Sequence, residues 1–177
     1  MPQTREPQTT DITEAPARSS RSARMVTRFA SGDAECAAWH YGPGSSTACV
    51  VMAHGLGAIK EVGLGRFARR SAAAGHDVLA FDYRGFGEST GEPRQVVDIP
   101  AQLEDWRAAI AFARGLPGVQ RIVLWGTSYG GGHVLALAAA LTGLAGVIAQ
   151  VPMAGRPHRG ASRLSAPATA PGRARAD

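Results

Sequence analysis

Apolar residues along this chain come in two kinds of run, and the two kinds alternate. One kind is short and continuous. Residues 48–53, 78–81, 121–125 and 146–151 are dense in Val, Ile, Leu and Ala and hold few polar positions. Such runs predict strands buried on both faces, as in a parallel sheet covered by helices. Residues 25–29 and 35–41 are two further strand candidates, the second ended by Gly42-Pro43-Gly44. The other kind of run repeats at helical spacing. Leu64, Phe67, Ala68 and Ser71 share one face of 64–74, Arg66, Arg69 and Arg70 lie on the others, and Gly75 stops the helix. Leu103, Trp106, Ala109, Ile110 and Ala113 form one stripe along 99–113, closed by Gly115-Leu116-Pro117-Gly118. A third helix is predicted over 133–141. Strands and helices alternating from 48 to 151 predict an α/β fold with a doubly wound, mostly parallel sheet.

In such sheets ligand chemistry gathers at the C-terminal ends of the strands. Three suggestive loops follow strands there. His54-Gly55-Leu56-Gly57-Ala58 follows the third strand, the Gly- and Ser-rich stretch 82–94 follows the fourth, and Gly126-Thr127-Ser128-Tyr129-Gly130 follows the fifth. The last is Gly-x-Ser-x-Gly between a strand and a helix, the setting of a nucleophile elbow, a sharp turn that lifts a serine hydroxyl clear of the sheet. Gly126 and Gly130 fit because a side chain at either would collide with the neighbouring strand or helix. The backbone N–H of Tyr129 points into the same space as Ser128. Leu56 is placed to supply a second N–H, completing an oxyanion hole. His133 falls within the following helix, whose geometry directs it away from the serine hydroxyl. It is expected to be a packed or partly exposed histidine.

With these pieces in place the chain resembles the N-terminal half of an α/β-hydrolase. The matching segments are Val50-Val51-Met52-Ala53-His54-Gly55, Phe81-Asp82-Tyr83-Arg84-Gly85-Phe86-Gly87-Glu88-Ser89 and Leu124-Trp125-Gly126-Thr127-Ser128-Tyr129-Gly130-Gly131. The resemblance covers residues 25–153 and implies an esterase- or peptidase-like serine hydrolase near the dienelactone-hydrolase and acyl-peptidase branches. It implies Ser128 as nucleophile, acyl transfer from a small-molecule ester or amide to water, no cofactor and no metal. It implies a sheet order of 1-2-4-3-5-6, about six of the fold's roughly eight strands. It places His54 and Gly55 in the oxyanion loop in a structural role, and makes Asp82 and Arg84 fixing residues of the loop beside the site. Glu88 is expected to be solvated. Strand four between strands two and three separates Cys36 from Cys49, so buried free thiols are expected and not a disulfide.

In that family the triad runs Ser, then Asp or Glu, then His. After Ser128 the only acid is Asp177, and the histidines are His133 and His158. Neither a triad acid nor a triad base is identified, and the chain reads as truncated. A serine without its base is a poor nucleophile, and loss of triad members leaves at most roughly 10³–10⁴-fold catalysis over water. Low or no activity is therefore expected. The alternative is a non-catalytic remnant of the fold that binds a small molecule or a protein. The sixth strand, left as an apolar edge, invites self-association.

Charge changes this picture little. The net charge is +5 and the pI about 10.0, which would suit a polyanion partner, but the excess is terminal. Residues 1–28 carry +2, residues 29–153 carry −1 and residues 154–177 carry +4. Arginine tails binding polyanions without specificity are a third reading, and no specific nucleic-acid partner is expected. Residues 1–24 are rich in Thr, Ser, Pro and Arg without a signal-peptide apolar core, and read as a disordered tail; Met25 is an alternative start. Residues 154–177, mostly Arg, Ala, Pro, Ser and Gly, read as disordered or non-native sequence. No apolar run approaches the roughly 18 residues of a membrane helix, and the expected location is cytoplasmic.

Overall fold

The computed structural model describes residues 24–153 and 162–163; the tails expected at 1–24 and 154–177 otherwise lie outside the described residues. The chain runs β1 (Met25–Ser31), β2 (Ala34–Tyr41), β3 (Ala48–Ala53), α1 (Leu64–Ala73), β4 (Asp77–Phe81), β5 (Val96–Val97) and α2 (Ile99–Arg114). It continues through β6 (Arg121–Thr127), α3 (Tyr129–Ala140), β7 (Gly146–Gln150) and β8 (Ser162–Arg163). Six strands form one sheet in the order β1-β2-β4-β3-β6-β7, the order the family resemblance implied. The β1–β2 and β2–β4 pairs are antiparallel, and the β4–β3, β3–β6 and β6–β7 pairs are parallel. Outside this sheet β5 pairs antiparallel with β8, a short ladder that the sequence pattern did not predict.

The wholly apolar strands are explained by two cores. Side chains alternate across a strand. In β3, Cys49, Val51 and Ala53 face a core shared with Trp106, Ala109, Ile110 and Ala113 of α2 and Val134 and Leu137 of α3. Val50 and Met52 face the opposite core, with Leu64, Ala68 and Ala72 of α1. All six β3 residues are buried, so neither face tolerates a polar side chain. Helix α2 starts where Asp98 accepts a hydrogen bond from the Ala101 N–H at 3.1 Å, with Pro100 in the first turn.

Helix α3 begins at Tyr129, four residues before the expected His133. The run Gly130-Gly131-Gly132 disfavours helix by propensity, but packing requires it. A Cβ on Gly130 would lie 2.5 Å from the His54 carbonyl oxygen, and one on Gly131 would lie 3.0 Å from Pro152 Cα. The first turn therefore passes closer to its neighbours than any larger residue permits.

Cys36 and Cys49 are buried free thiols. Burial raises both pKa values, that of Cys49 to about 12, so neither is a reactive thiolate. Strand β7 forms the sheet's edge among the described residues. Its Ile148 is 51% exposed, beside Val151 at 80% and Met153 at 50%. No described helix is long and apolar enough to cross a membrane.

Candidate active site

Ser128 sits between β6 and α3 with φ 54° and ψ −114°, backbone angles that a non-glycine residue holds only at a cost. The surroundings enforce this turn. The Ser128 N–H donates to the Gln150 carbonyl at 2.9 Å, and the Ser128 carbonyl accepts from Met153 N–H at 2.9 Å and Gly132 N–H at 3.2 Å. A Cβ on Gly126 would run into the Gly130 carbonyl. The strand and helix thus close tightly around the serine, which stays half-buried.

The loop after β3 approaches from the other side. The β3–β6 register pairs Ala53 with Gly126, which brings Gly55 beside Ser128. A Cβ on Gly55 would lie 2.9 Å from Ser128 Cβ and 3.4 Å from its Oγ. The Gly55 carbonyl accepts from His54 Nδ1 at 2.9 Å and from the Ala58 N–H at 3.4 Å. The Gly55–Leu56 peptide is trans, so the Leu56 N–H points opposite to that anchored carbonyl. Leu56 itself is 47% exposed.

His54 is 1% exposed. Donation from Nδ1 to a carbonyl fixes its neutral tautomer and leaves Nε2 bare. Nε2 has no hydrogen-bond partner and lies 3.7 Å from Asp82 Oδ1. Burial lowers the His54 pKa, so the ring is neutral at pH 7. Asp82, fully buried, accepts from the Lys60 N–H at 2.6 Å, Lys60 Nζ at 2.8 Å and the Glu88 N–H at 3.2 Å. Its own carbonyl accepts from Ser89 Oγ at 2.8 Å, and that oxygen accepts from the Ala37 N–H at 2.8 Å. The loop after β4 is therefore knitted to β2 and to the loop after β3. Arg84 is anchored to α2 and β1: its Nε donates to Asp105 Oδ1 at 2.7 Å, and its Nη2 to Ser31 Oγ at 2.9 Å and Glu104 at 2.6 Å.

His133 is buried, with Nε2 2.8 Å from Gln102 Oε1. Its ring meets Tyr129 and Tyr83 edge-on. Burial, and secondarily the neighbouring His54, push its pKa down to about 4. No base is hydrogen-bonded to Ser128 Oγ among the described residues, and His158 and Asp177 lie outside them. No described cluster of His, Cys, Asp and Glu could hold a metal ion. A cavity of about 210 Å³ opens beside Arg84, Gly91, Asp98 and Gln102, but neither Ser128 nor Gly55 lines it. It is separate from the serine.

A strained serine between strand and helix, faced by a glycine loop from the adjacent strand, agrees with a family match. The model of the hydrolase family described as serine aminopeptidase, S33, matches residues 44–172. The chain belongs to this α/β-hydrolase family. Among relatives, the quorum-quenching protein AidA of Acinetobacter baumannii (strain MDR-ZJ06) is 52% identical over 134 residues, covering 73% of this chain and 44% of its own. The thiohydrolase aneE of Aspergillus aculeatus is 43% identical over 91 residues, covering 50% of this chain and 29% of its own. The crystal structure of the α/β hydrolase GrgF from Penicillium sp. sh18 superposes with a TM-score of 0.70 at 29% identity, covering 73% of this chain and 46% of that one. The chain thus spans less than half the length of each of these relatives.

Around this candidate site, sequence reasoning missed Lys60, Glu88 and Asp105 as site-building groups. Lys60 reads as a surface lysine after a glycine-rich loop, yet its side chain is fully buried. Glu88 is exposed as expected, but accepts from Lys60 Nζ at 2.5 Å, and Lys60 holds its carboxyl below the usual range. Asp105 lies beside the α2 stripe, where an acid reads as part of a solvated face, yet it is fully buried.

Proposed function

We propose that Ser128 is the nucleophile of an acyl-transfer site that moves the acyl group of a small ester or amide to water. The reading rests on one observation above all: Ser128 is held in a strained turn with Gly55 pressed against it. Its Oγ attacks the substrate carbonyl carbon, and the carbonyl oxygen becomes an oxyanion facing the N–H groups of Leu56 and Tyr129. The anchored Gly55 carbonyl supports the Leu56 assignment, and the position directly after the nucleophile supports Tyr129. His54, Gly55, Gly126 and Gly130 shape these two loops, and Asp82 and Arg84 fix the loop after β4. The names of two relatives, a quorum-quenching protein and a thiohydrolase, make quorum signals that carry an ester or amide bond, and thioesters, the first substrates to try.

The Oγ proton must leave on a base. On the family pattern that base and its acid follow Ser128 in sequence, and the described residues place neither beside it. The 177-residue polypeptide alone is therefore expected to turn over p-nitrophenyl butyrate slowly, with no more than roughly 10³–10⁴-fold over water. A fluorophosphonate probe should label it slowly, with the adduct on Ser128. Turnover above that triad-independent background that survives Ser128→Ala, or an adduct mapped elsewhere, would sink the assignment. A second reading is favoured by the lack of a base beside Ser128 among the described residues and by the exposed β7 edge: a non-catalytic module that binds a small acyl compound or a second copy of itself. Complete resistance of Ser128 to the probe supports that reading instead.

A further inference from the structure

Lys60 is the buried charge that the chemistry above leaves unused. Its side chain is 0% exposed, and burying an ammonium is unfavourable unless it is paired and hydrogen-bonded. Its partners are Asp82 Oδ2 at 2.8 Å, Glu88 Oε2 at 2.5 Å and Glu61 Oε1 at 3.0 Å, and it lies 5.1 Å from the centre of the Trp39 ring. Burial pulls its pKa down, but the three carboxylates outweigh that and hold it above the usual lysine range.

What distinguishes Lys60 is that both its ends bind one carboxylate. Its main-chain N–H donates to Asp82 Oδ1 and its ammonium to Asp82 Oδ2. The β3–β4 register pairs Ala53 with Phe81, so His54 and Asp82 leave adjacent strands side by side. The chain from His54 onward carries the Leu56 N–H, then returns at Lys60 to the carboxylate next to where it began. One end of this loop is fixed by the sheet, the other by Lys60.

We propose that Lys60 is a positioning residue for acyl transfer at Ser128: it clasps the far end of the 54–60 loop onto Asp82 and so holds the Leu56 N–H at the oxyanion position. The proposal rests on the acyl-transfer reading of Ser128. It differs from a role in core filling, which would stabilise the whole sheet and leave the loop no more dependent on Lys60 than β3 or β6.

The test uses the full chain with Lys60→Gln, and with Glu88→Gln as a milder variant that removes one exposed partner of the ammonium. Amide hydrogen exchange is followed by mass spectrometry, and the rate of fluorophosphonate labelling at Ser128 is measured alongside. Lys60→Gln should speed exchange across 54–60 about tenfold or more while β3 and β6 stay protected, and should slow labelling by a similar factor. Glu88→Gln should move both readouts the same way by less. If Lys60→Gln fails to fold, Glu88→Gln alone decides between the outcomes. Unchanged exchange in the loop, exchange that quickens equally in the sheet, or a loosened loop with unchanged labelling would each overturn the proposal. A wild-type chain that never labels sinks the acyl-transfer reading instead, and the exchange arm then decides by itself whether Lys60 clasps the loop.

Discussion

Replacing Ser128 by glycine should make the protein more stable while removing the hydroxyl proposed as its nucleophile. At φ 54° and ψ −114° the serine Cβ is held against the backbone, a strain worth roughly 1–3 kcal/mol. Glycine relieves it, but gives the unfolded chain extra freedom worth about 0.4–1 kcal/mol. No described hydrogen bond is lost, because the Ser128 contacts in the turn all run through backbone groups. The difference is a gain of about 1 kcal/mol, or roughly 2–5 °C in Tm for a domain of this size. Ser128→Ala is the control. It also lacks the hydroxyl but keeps the Cβ, so it keeps the strain and should match wild type within about 0.5 kcal/mol. Urea unfolding of the three proteins, followed by tryptophan fluorescence, reads the effect without any need for turnover. A glycine variant whose midpoint falls at or below that of the alanine variant would show that the turn stores no strain at this residue, and the structural case for an enforced elbow would fail with it.

Two further outcomes test other parts of the structure. His133 is buried with its pKa lowered from 6.5 to about 4, so the unfolded chain binds the proton first as pH falls. Its contribution is fully present above about pH 6.5 and is lost on the way down to about pH 4; between pH 7 and pH 5 the loss is about 2 kcal/mol. His54, lowered in the same direction, adds to it. Urea midpoints at the two pH values should show this loss, and His133→Gln should reduce it; an equal loss in the variant counts against the assignment. At the β7 edge, Ile148 is half exposed, and we expect concentration-dependent association on size exclusion at tens of micromolar, suppressed by Ile148→Lys. A wild-type chain that stays monomeric there removes the edge as an interaction surface.

The sheet was legible in the sequence because burial on both faces left β3, β4 and β6 almost no polar residues. The loops were legible because their glycines and serine follow strands directly. What escaped reading depended on residues far apart in sequence. The α3 start was hidden because propensity sees three glycines, whereas the structure sees β3 and the chain after β7 pressing on them. Lys60 was hidden because nothing local distinguishes a buried lysine from a surface one; its burial follows from Asp82, which is 22 residues away. Arg84 was assigned to its loop, but its anchor, Asp105, belongs to a helix whose polar positions all look like a solvated face. Local pattern reveals a strand or a turn. It does not reveal a charge pair that exists only after the sheet has formed.

The register of the central strands accounts for how the site is assembled. Ala53 opposite Gly126 and Ala53 opposite Phe81 bring three loop origins, His54, Asp82 and Thr127, to one edge of the sheet. A shift of one residue in either pair would turn every side chain of that strand to the other face, and the two cores would exchange their contents. The register is therefore held by the burial of the whole sheet, not by the site. The approach of Gly55 to Ser128 follows from that register, and the clasp at Asp82 adds to it. In the described residues the serine and its loop neighbour are thus aligned without any triad acid or base beside them. On the proposed acyl-transfer reading, alignment and proton transfer are therefore carried by different groups. A substitution in the loops changes the first, while the second depends on groups that the described residues do not place beside Ser128.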